Sequence, residues 1–515
     1  MKKLPLGIET FSKLIKGNHV YVDKTVIALD LIDRGSYYFL SRPRRFGKSL
    51  FLSTLKEIFQ GNRALFEGLY IYDKWDFDNS YPVIHISLGT GFTGTIDSFD
   101  DYLKWVLEKA EKDLGIQLTN SKDAKACFQE LIWQANEKYK QPVVILIDEY
   151  DKPILDCIVK HEKAKARAIR DQLKEFYSVI KSNDAYLRFV FLTGVSKFSK
   201  MSLFSGLNNL EDITIDARYG NICGYTHEDL KIYFQDHLVG IDLAAVKEWY
   251  NGYNYFGDKV YNPYDILLFI NKGFEFKNYW WQTGMPTFLI DLLKEKNYHL
   301  PSTLNYIATD EILNSFDVDT ILLEAILWQT GYLTIDKKIA APFGMQYELK
   351  VPNKEIQTSL TNLFITHLTS EQIQRIHNQR QLVKVLQNGN TGGLKDSLFK
   401  LFASIPYHNF TNNKIANYEG YYASVLYAYL ASLGYPIIPE DITNKGRVDL
   451  TLQLPDKTYI FEFKVVEQAT NEALQQIKTK QYYQKYQSAA TEIYLTGIEF
   501  GKEERNIVHW EAEQI

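Results

Sequence analysis

The chain's 515 residues, 45% hydrophobic and 23% charged with a formal net charge of −5, have the composition of ordinary globular domains, enough for two to four of them; bulk charge excludes a protein that attracts nucleic acid by overall positive charge, so such a partner would need a local basic groove. No apolar run approaches the length that spans a bilayer, and the lysines of MKKLPLGIETF have no apolar core behind them, so neither a membrane segment nor a secretory signal is expected. Cys127, Cys157 and Cys223 are spaced for neither a disulfide framework nor a zinc site and suit a reducing, cytoplasmic setting.

Residues 1 to about 235 alternate strand-like and helix-like segments, the mark of an α/β sheet domain. Strands are predicted at Tyr37–Leu40, Pro82–Leu88, Val143–Ile147 and Leu187–Thr193, with helices at Ser49–Phe59, Phe99–Leu114, Ala124–Lys138 and Lys163–Ser182. The unbroken apolar run Val143 to Ile147 suits a strand buried on both faces of a parallel sheet. The first strand runs into RPRRFGKSL, so that Arg44, Arg45, Phe46, Gly47, Lys48, Ser49 and Leu50 occupy a nucleotide-phosphate loop. There, backbone N–H groups at a helix start face an anion, the lysine reaches the outer phosphates and the hydroxyl reaches Mg²⁺. The pattern G-x-x-x-x-G-K-[ST] is met except that Arg42 replaces its first glycine. An arginine disfavours φ > 0, so the loop entry cannot copy a glycine turn. The charge of Arg42, Arg44 and Arg45 serves either phosphate binding or a solvated loop beside acidic neighbours.

Asp148 and Glu149 end the apolar strand, where the first acid can hold a Mg²⁺ shell and the second can orient a water toward a γ-phosphate. Thr193 and Ser196 follow another strand and are placed to sense that phosphate. A lysine at a helix start and a solvated strand end are the plainer accounts of each piece alone. In this order, on strand–loop–helix and on strand, the pieces together favour a nucleotide site.

His85 in VIHISL is expected to be a hydrogen-bonded core histidine, and VYVDKT (Val20 to Thr25) either lines a base pocket or caps and packs. Residues 236 to 300 suggest a small helical module rich in aromatics, and residues 301 to 405 a mainly helical connector interrupted by a hairpin from Tyr332 to Pro352. The tyrosines near Tyr250–Tyr264 and Trp280–Trp281 suit packing better than base stacking. Asn388–Asp396 is the best candidate loop or linker, and LKVPNKEI turns at Pro352–Asn353 before a helix.

From about residue 406 the order becomes helix, hairpin, strand, helix, strand. In RVDLTLQLPDKTYIFEFKVV, strand alternation puts Glu462 and Lys464 on one face with Phe463 opposite, and hairpin pairing can bring Asp449 beside Glu462. Two carboxylates then bind Mg²⁺, and Lys464 stabilises charge on a phosphodiester undergoing cleavage or orients its water. Glu419, at the start of an upstream amphipathic helix, is a third candidate carboxylate, and Gln476, Lys480 and Tyr482 on a downstream helix are candidates for contact with a DNA backbone. A surface hairpin with cross-strand ion pairs is the plainer alternative for E-x-K alone; the wider cluster favours a metal-dependent nuclease site.

The segments LPLGIETFSKL, VYVDKT, FLSRPRRFGKS, ILIDEYDKP, FLTGVSKFS and NLEDIT resemble the bacterial AAA-ATPase-like family, and the C-terminal part resembles the PD-(D/E)XK nuclease superfamily domain often fused to it. The resemblance covers about residues 5 to 230 and 410 to 510, and the arginine-rich loop lacking its first glycine is a trait of the family. It implies an α/β fold: a P-loop NTPase parallel sheet with a helical lid or winged-helix-like module, then an α/β PD-(D/E)XK nuclease-like domain. The division expected is 1–235, 236–300, 301–405 and 406–515. Phosphate and Mg²⁺ roles carry over to Lys48, Ser49, Asp148 and Glu149, and nuclease roles to Glu419, Asp449, Glu462 and Lys464, with a backbone or structural role for Gln476. Val448 stands where the superfamily's proline precedes its aspartate. The expected cofactors are ATP and Mg²⁺. The expected partner is nucleic acid, DNA before RNA, with no membrane, and a homo-oligomer is compatible. A non-catalytic ATP-binding switch whose second domain only binds DNA or a protein is the alternative, and a metabolic kinase lacks any acceptor-pocket signature.

Overall fold

A computed structural model describes residues 1–119, 122–197, 207, 209–280, 306–314, 317–319, 322–342, 344–368, 375–405, 419–487 and 492–515. Trp281, part of the FLTGVSKFS segment and the approach to Glu419 lie outside these residues. Packing divides the chain into one unit of residues 1–286 with 307–353 and another of 287–306 with 354–515.

In the first unit, β1 (Tyr37–Ser41), β2 (Val83–Ser87), β3 (Val143–Asp148), β4 (Leu187–Gly194) and β5 (Glu211–Asp212) form an all-parallel sheet in the order β2-β3-β4-β1-β5. Every residue of β3 is buried, as its apolar run requires. Helices Lys48–Phe59, Phe99–Leu114, Ala124–Tyr139, Lys152–Val159 and Lys163–Ser182 accompany the sheet. Their ends follow local chemistry: Asp123 accepts from the Ala126 N–H at one start, and Gly115 closes another helix in the left-handed region. The order inserts β4 between the loop-bearing β1 and the acidic β3, so the sequence neighbours of a phosphate site come from three adjacent strands.

The unit continues with a module of helices His227–Tyr233, Leu243–Tyr250 and Pro263–Asn271 and an antiparallel sheet of β6 (Tyr225–Thr226), β7 (Asn251–Tyr253) and β8 (Val260–Tyr261) in the order β6-β8-β7. Its core joins Phe234, Val246, Tyr250 and Tyr261 to Val20 and Val22 of the N-terminal segment. The aromatic clusters do pack: Tyr250, Tyr253, Tyr255, Tyr261 and Trp280 are all buried. β9 (Tyr306–Thr309) precedes the expected hairpin, observed as β10 (Thr334–Ala341) and β11 (Gly344–Lys350).

The second unit carries helices Lys354–Leu368, Arg375–Gln387, Thr391–Ala403 and Glu419–Ala431 before a mixed sheet, β12 (Ile437–Thr443), β13 (Gly446–Gln453), β14 (Lys457–Val466), β15 (Glu492–Gly501) and β16 (Ile507–Gln514), paired in sequence order. Only β14 and β15 run parallel, and the crossover between them contains helix Glu472–Lys480. The segment expected as a linker, Asn388–Asp396, is instead a three-residue turn and the first turns of a helix. The Asn390 side chain accepts from the Gly393 N–H at 2.9 Å, and this cap outweighs the poor helix propensity of two glycines.

Candidate functional site

The phosphate-type loop is built differently from its sequence pattern. Gly47, at the N-terminus of helix Lys48–Phe59, has φ +97° with open space where a Cβ would point, so a left-handed turn there exposes the helix start to an approaching anion. Arg42, in the place of the missing glycine, is absent from the residues with positive φ and is 1% exposed. It is neither a phosphate sensor nor a solvated loop cation. Its guanidinium donates to the carbonyls of Ser41 (2.9 Å), Thr214 (2.7 Å) and Tyr219 (3.3 Å), and it lies 3.7 Å from the centre of the Tyr255 ring. The rest of the loop is held in the same manner. Pro43 abuts Gly331, the Arg44 carbonyl lies 3.5 Å from the Asn262 side-chain amide, Arg45 covers Tyr264 at 3.9 Å, and Phe46 meets Tyr253 edge-on. Arg44 and Arg45 are exposed, and Arg45 accepts a left-handed φ of +66°.

Lys48 is buried and donates to the carbonyls of Arg42 and Pro43, both at 2.9 Å. Burial lowers its pKa, and the charges of Asp148 and Glu149 oppose that shift. Ser49 follows half-buried in the first helical turn, and Leu50 lines a cavity with Gly47, Tyr21, Val22, Lys24 and Cys223. This cavity is small, about 60 Å³, well below the volume of ordinary small-molecule sites. In the segment Val20–Thr25, Asp23 accepts from Thr25 and from the Tyr70 N–H, the capping role weighed for it, while Tyr21, Val22 and Lys24 line this small cavity.

At the neighbouring strand ends, Thr193 Oγ1 of β4 donates to Asp148 Oδ1 of β3 at 2.6 Å. Glu149 takes a left-handed φ of +53° and lies against Gly89 after β2; burial raises its pKa, helped by the Asp148 charge. Non-glycine residues in this region are uncommon and accumulate at functional sites. Asp151, not singled out in the sequence, is buried and accepts from the Val195 N–H (3.1 Å), the Ser196 N–H (2.6 Å) and the Ser196 hydroxyl, fixing the loop that follows Thr193. It sits at a helix start without capping it, so no local signal distinguishes it from an ordinary N-cap. His85 corrects the expectation of a bonded core histidine: its Nε2 is buried without a partner, and desolvation lowers its pKa to about 4.

In the second unit, β13 and β14 pair through Leu450 and Phe461, which sets Asp449 and Glu462 one step beyond the last ladder pair. Asp449 Oδ2 accepts from the Phe463 N–H at 2.7 Å. Glu462 is 2% exposed; Oε1 accepts from the Gln476 side chain and lies 3.7 Å from Lys464 Nζ, while Oε2 is buried with no partner among the described residues. Burial, with repulsion from nearby carboxylates that include Glu419, pushes Asp449 up to about 6 and Glu462 up to about 8, while Lys464 opposes both shifts. Among the described residues no group of three His, Cys, Asp or Glu side chains stands ready to hold a metal, so Glu419 acts on this pair through its charge rather than within a preformed set. An orphaned, desolvated carboxylate oxygen beside a second acid nevertheless fits a hard divalent cation, whose charge would remove both penalties.

Two further residues fix this arrangement. Glu499 on β15 accepts from the Thr470 and Glu472 N–H groups, at 2.7 and 2.8 Å, holding the start of the Gln476 helix. At Gly497 a Cβ would come 2.4 Å from the Leu474 nitrogen, so the helix can lie on β15 only where there is no side chain. A single acid in the apolar run IYLTGIEFG was the available signal for Glu499. Tyr482, by contrast, is a core residue packed with Val448, Ile460 and Ile477 and does not face a backbone. Among the described residues no helix is long and apolar enough to cross a membrane.

Residues 5–204 match the family model described as predicted AAA-ATPase, and residues 417–510 match the PD-(D/E)XK nuclease superfamily. A protein of Azotobacter chroococcum mcd 1, described as an uncharacterized protein in the vnfD 5′ region, is 46% identical over 516 residues, spanning 100% of this chain and 99% of that protein. The parallel sheet with its arginine-clamped loop and the mixed sheet with its buried carboxylates thus fall in the two matched regions, and the chain belongs to the AAA-ATPase-like family with a C-terminal domain of the PD-(D/E)XK nuclease superfamily.

Proposed function

We propose that the chain binds and hydrolyses ATP on residues 1–235, with 236–300 as a lid-like module and 301–405 as a connector, and that residues 406–515 act on nucleic acid, DNA first, as a Mg²⁺-dependent nuclease in the cytoplasm. The observation that carries the nuclease half is Glu462: a buried carboxylate with one oxygen bonded to Gln476, the other without a partner among the described residues, and Asp449 beside it. Mg²⁺ held by Asp449 and Glu462 would polarise a phosphodiester and acidify a water. Lys464, 3.7 Å from Glu462, supplies a cation for charge developing on the phosphate, and Gln476 fixes the rotamer of Glu462.

On the nucleotide half, Lys48 and Ser49 would take the phosphates and their Mg²⁺. Thr193 orients Asp148, and Glu149, with its raised affinity for a proton, is placed to orient and accept from a water. Purified protein is expected to cut labelled DNA in Mg²⁺, with Glu462→Ala or Lys464→Ala reducing the rate at least 100-fold. Equal cutting by those variants would overturn the assignment. Glu149→Gln should retain ATP binding and lose turnover.

The second reading, an ATP-binding switch with little turnover, draws on Lys48: its ammonium is already engaged by two carbonyls of its own loop, and that loop is clamped along its length. Tight ATP binding with slow hydrolysis unaffected by Glu149→Gln would favour it.

A further inference from the structure

The β12–β13 hairpin continues β13 outward from Asp449. Its turn is tight: Thr443 pairs with Gly446, its hydroxyl donates to the Gly446 carbonyl at 3.0 Å, and it accepts from the Lys445 N–H at 3.2 Å. From this rigid tip project two exposed cations, Lys445 and Arg447, and one exposed apolar side chain, Ile442, which faces Arg447 across the strand pair and is 76% exposed. Ile442 is too exposed to serve the core and is available as an apolar contact beside these cations.

A second line of groups leads to the same place. Gln476, which holds Glu462, and Lys480 are four residues apart on helix Glu472–Lys480 and therefore lie one above the other on one face. Lys480 is exposed and has no carboxylate partner among the described residues. Gln481, which ends the helix, accepts from the Lys445 ammonium. Lys445 is thereby fixed by a neutral group. Arg447 is held by Glu440 at 3.2 Å, and Lys485 neutralises the buried Asp441, so among the described residues Lys445 and Lys480 are cations of this surface without an acidic partner.

We propose that the β12–β13 turn and the end of the Gln476 helix form a track for one phosphodiester strand leaving the Asp449–Glu462 site, with Lys480 and Lys445 on successive phosphates and Ile442 against a sugar or base. The occupant is chosen by charge and shape. Two lysines without carboxylate partners among the described residues, one of them held by Gln481, suit a regularly spaced polyanion, and an apolar wedge beside them suits the unstacked face of a nucleic-acid strand rather than an acidic peptide. The inference rests on the nuclease reading for the position of the strand, not for the binding itself.

The test uses the full chain in EDTA, so that binding is read without cleavage. Fluorescence anisotropy with a labelled 20-nucleotide DNA strand is followed across KCl concentrations for the parent, Lys445→Glu/Lys480→Glu, Lys445→Gln/Lys480→Gln and Ile442→Ser, with circular dichroism confirming the fold of each. Charge reversal should weaken binding at least tenfold, and removing two phosphate contacts should flatten the log–log salt dependence by about 1.4 for a single strand. The glutamine pair should fall between, and Ile442→Ser should weaken binding with the slope unchanged. Equal affinity and slope for parent and double variant would overturn the track, as would no binding by the parent at low salt. A parallel cleavage assay in Mg²⁺ separates the two readings: a parent that cuts DNA there while the double variant binds normally in EDTA removes the track and leaves the nuclease reading, and a parent that binds through these lysines but never cuts in Mg²⁺ does the reverse.

Discussion

Arg42→Gly restores the full G-x-x-x-x-G-K-[ST] pattern, and the structure makes the repair harmful. The substitution removes three donated hydrogen bonds, at 2.9, 2.7 and 3.3 Å, and a ring contact at 3.7 Å. Hydrogen bonds from a charged group contribute about 1.5–3 kcal/mol each and a desolvated cation–π contact about 2 kcal/mol. Against this, removing a buried guanidinium relieves a desolvation penalty of several kcal/mol, to which the lowered pKa of Arg42 points. The carbonyls of Thr214 and Tyr219 are then left short of a donor, at roughly 1–3 kcal/mol apiece, and a glycine adds about 1 kcal/mol of backbone entropy. The losses exceed the gain, so Arg42→Gly should be destabilised by at least about 3 kcal/mol and its Tm should fall by about 4 °C or more. Differential scanning calorimetry with and without ATP measures it, together with nucleotide affinity by titration calorimetry. Arg42→Lys should fall between, because a point charge cannot serve three carbonyls in a plane. An Arg42→Gly protein that melts at or above the parent temperature and binds ATP as well would refute the account of the clamp.

Asp151→Ala should lower stability by about 3 kcal/mol and slow ATP turnover, because two buried N–H groups in the loop after Thr193 lose their acceptor; parallel thermal melts and phosphate-release assays read both effects. Gly497→Ala should displace helix Glu472–Lys480 from β15 and with it the Gln476–Glu462 contact, costing about 2 kcal/mol or more and most of the DNA-cutting rate, while the ATPase rate stays near the parent value. In the absence of Mg²⁺, melting of the C-terminal domain should fall as pH rises. Asp449 and Glu462 are held at about 6 and about 8 in the folded state, above the usual carboxylate values, so their contribution is full below about pH 4 and is lost as pH climbs through 6 to 8. The loss should shrink when Mg²⁺ is added and should be reduced in Glu462→Gln, which keeps only the Asp449 share.

The first domain was legible because its signals are local. An apolar run long enough only for a buried strand, an acid pair at its end and a lysine at a helix start each report on a few adjacent residues, and Val143–Asp148, Lys48–Phe59 and the helices around them lie within a residue or two of where their patterns put them. The same holds for β13 and β14, whose alternation places Glu462 and Lys464 on one side. What escaped is long-range. Asp151 acts on a loop 44 and 45 residues later, and Glu499 caps a helix 27 residues earlier. The β5 strand is two residues long and carries no periodicity. Asn388–Asp396 was misread because a glycine pair outweighed Asn390 as a cap.

Arg42 marks the limit of motif reasoning most clearly. A phosphate loop needs a particular backbone path, and glycine is one way to permit that path. Side chains that pull on the loop from outside are another: here Arg42, Pro43, Arg45 and Phe46 each meet a residue from beyond position 250. A glycine loop is shaped mainly by its own sequence and its ligand, whereas this loop is shaped by Tyr253, Tyr255, Tyr264 and Gly331. A shift of those residues would therefore move the carbonyls that hold Lys48, and on the proposed ATP-binding reading nucleotide that drew Lys48 away from them would load the same contacts. The replaced glycine thus trades autonomy of the loop for a mechanical link to the module that follows it.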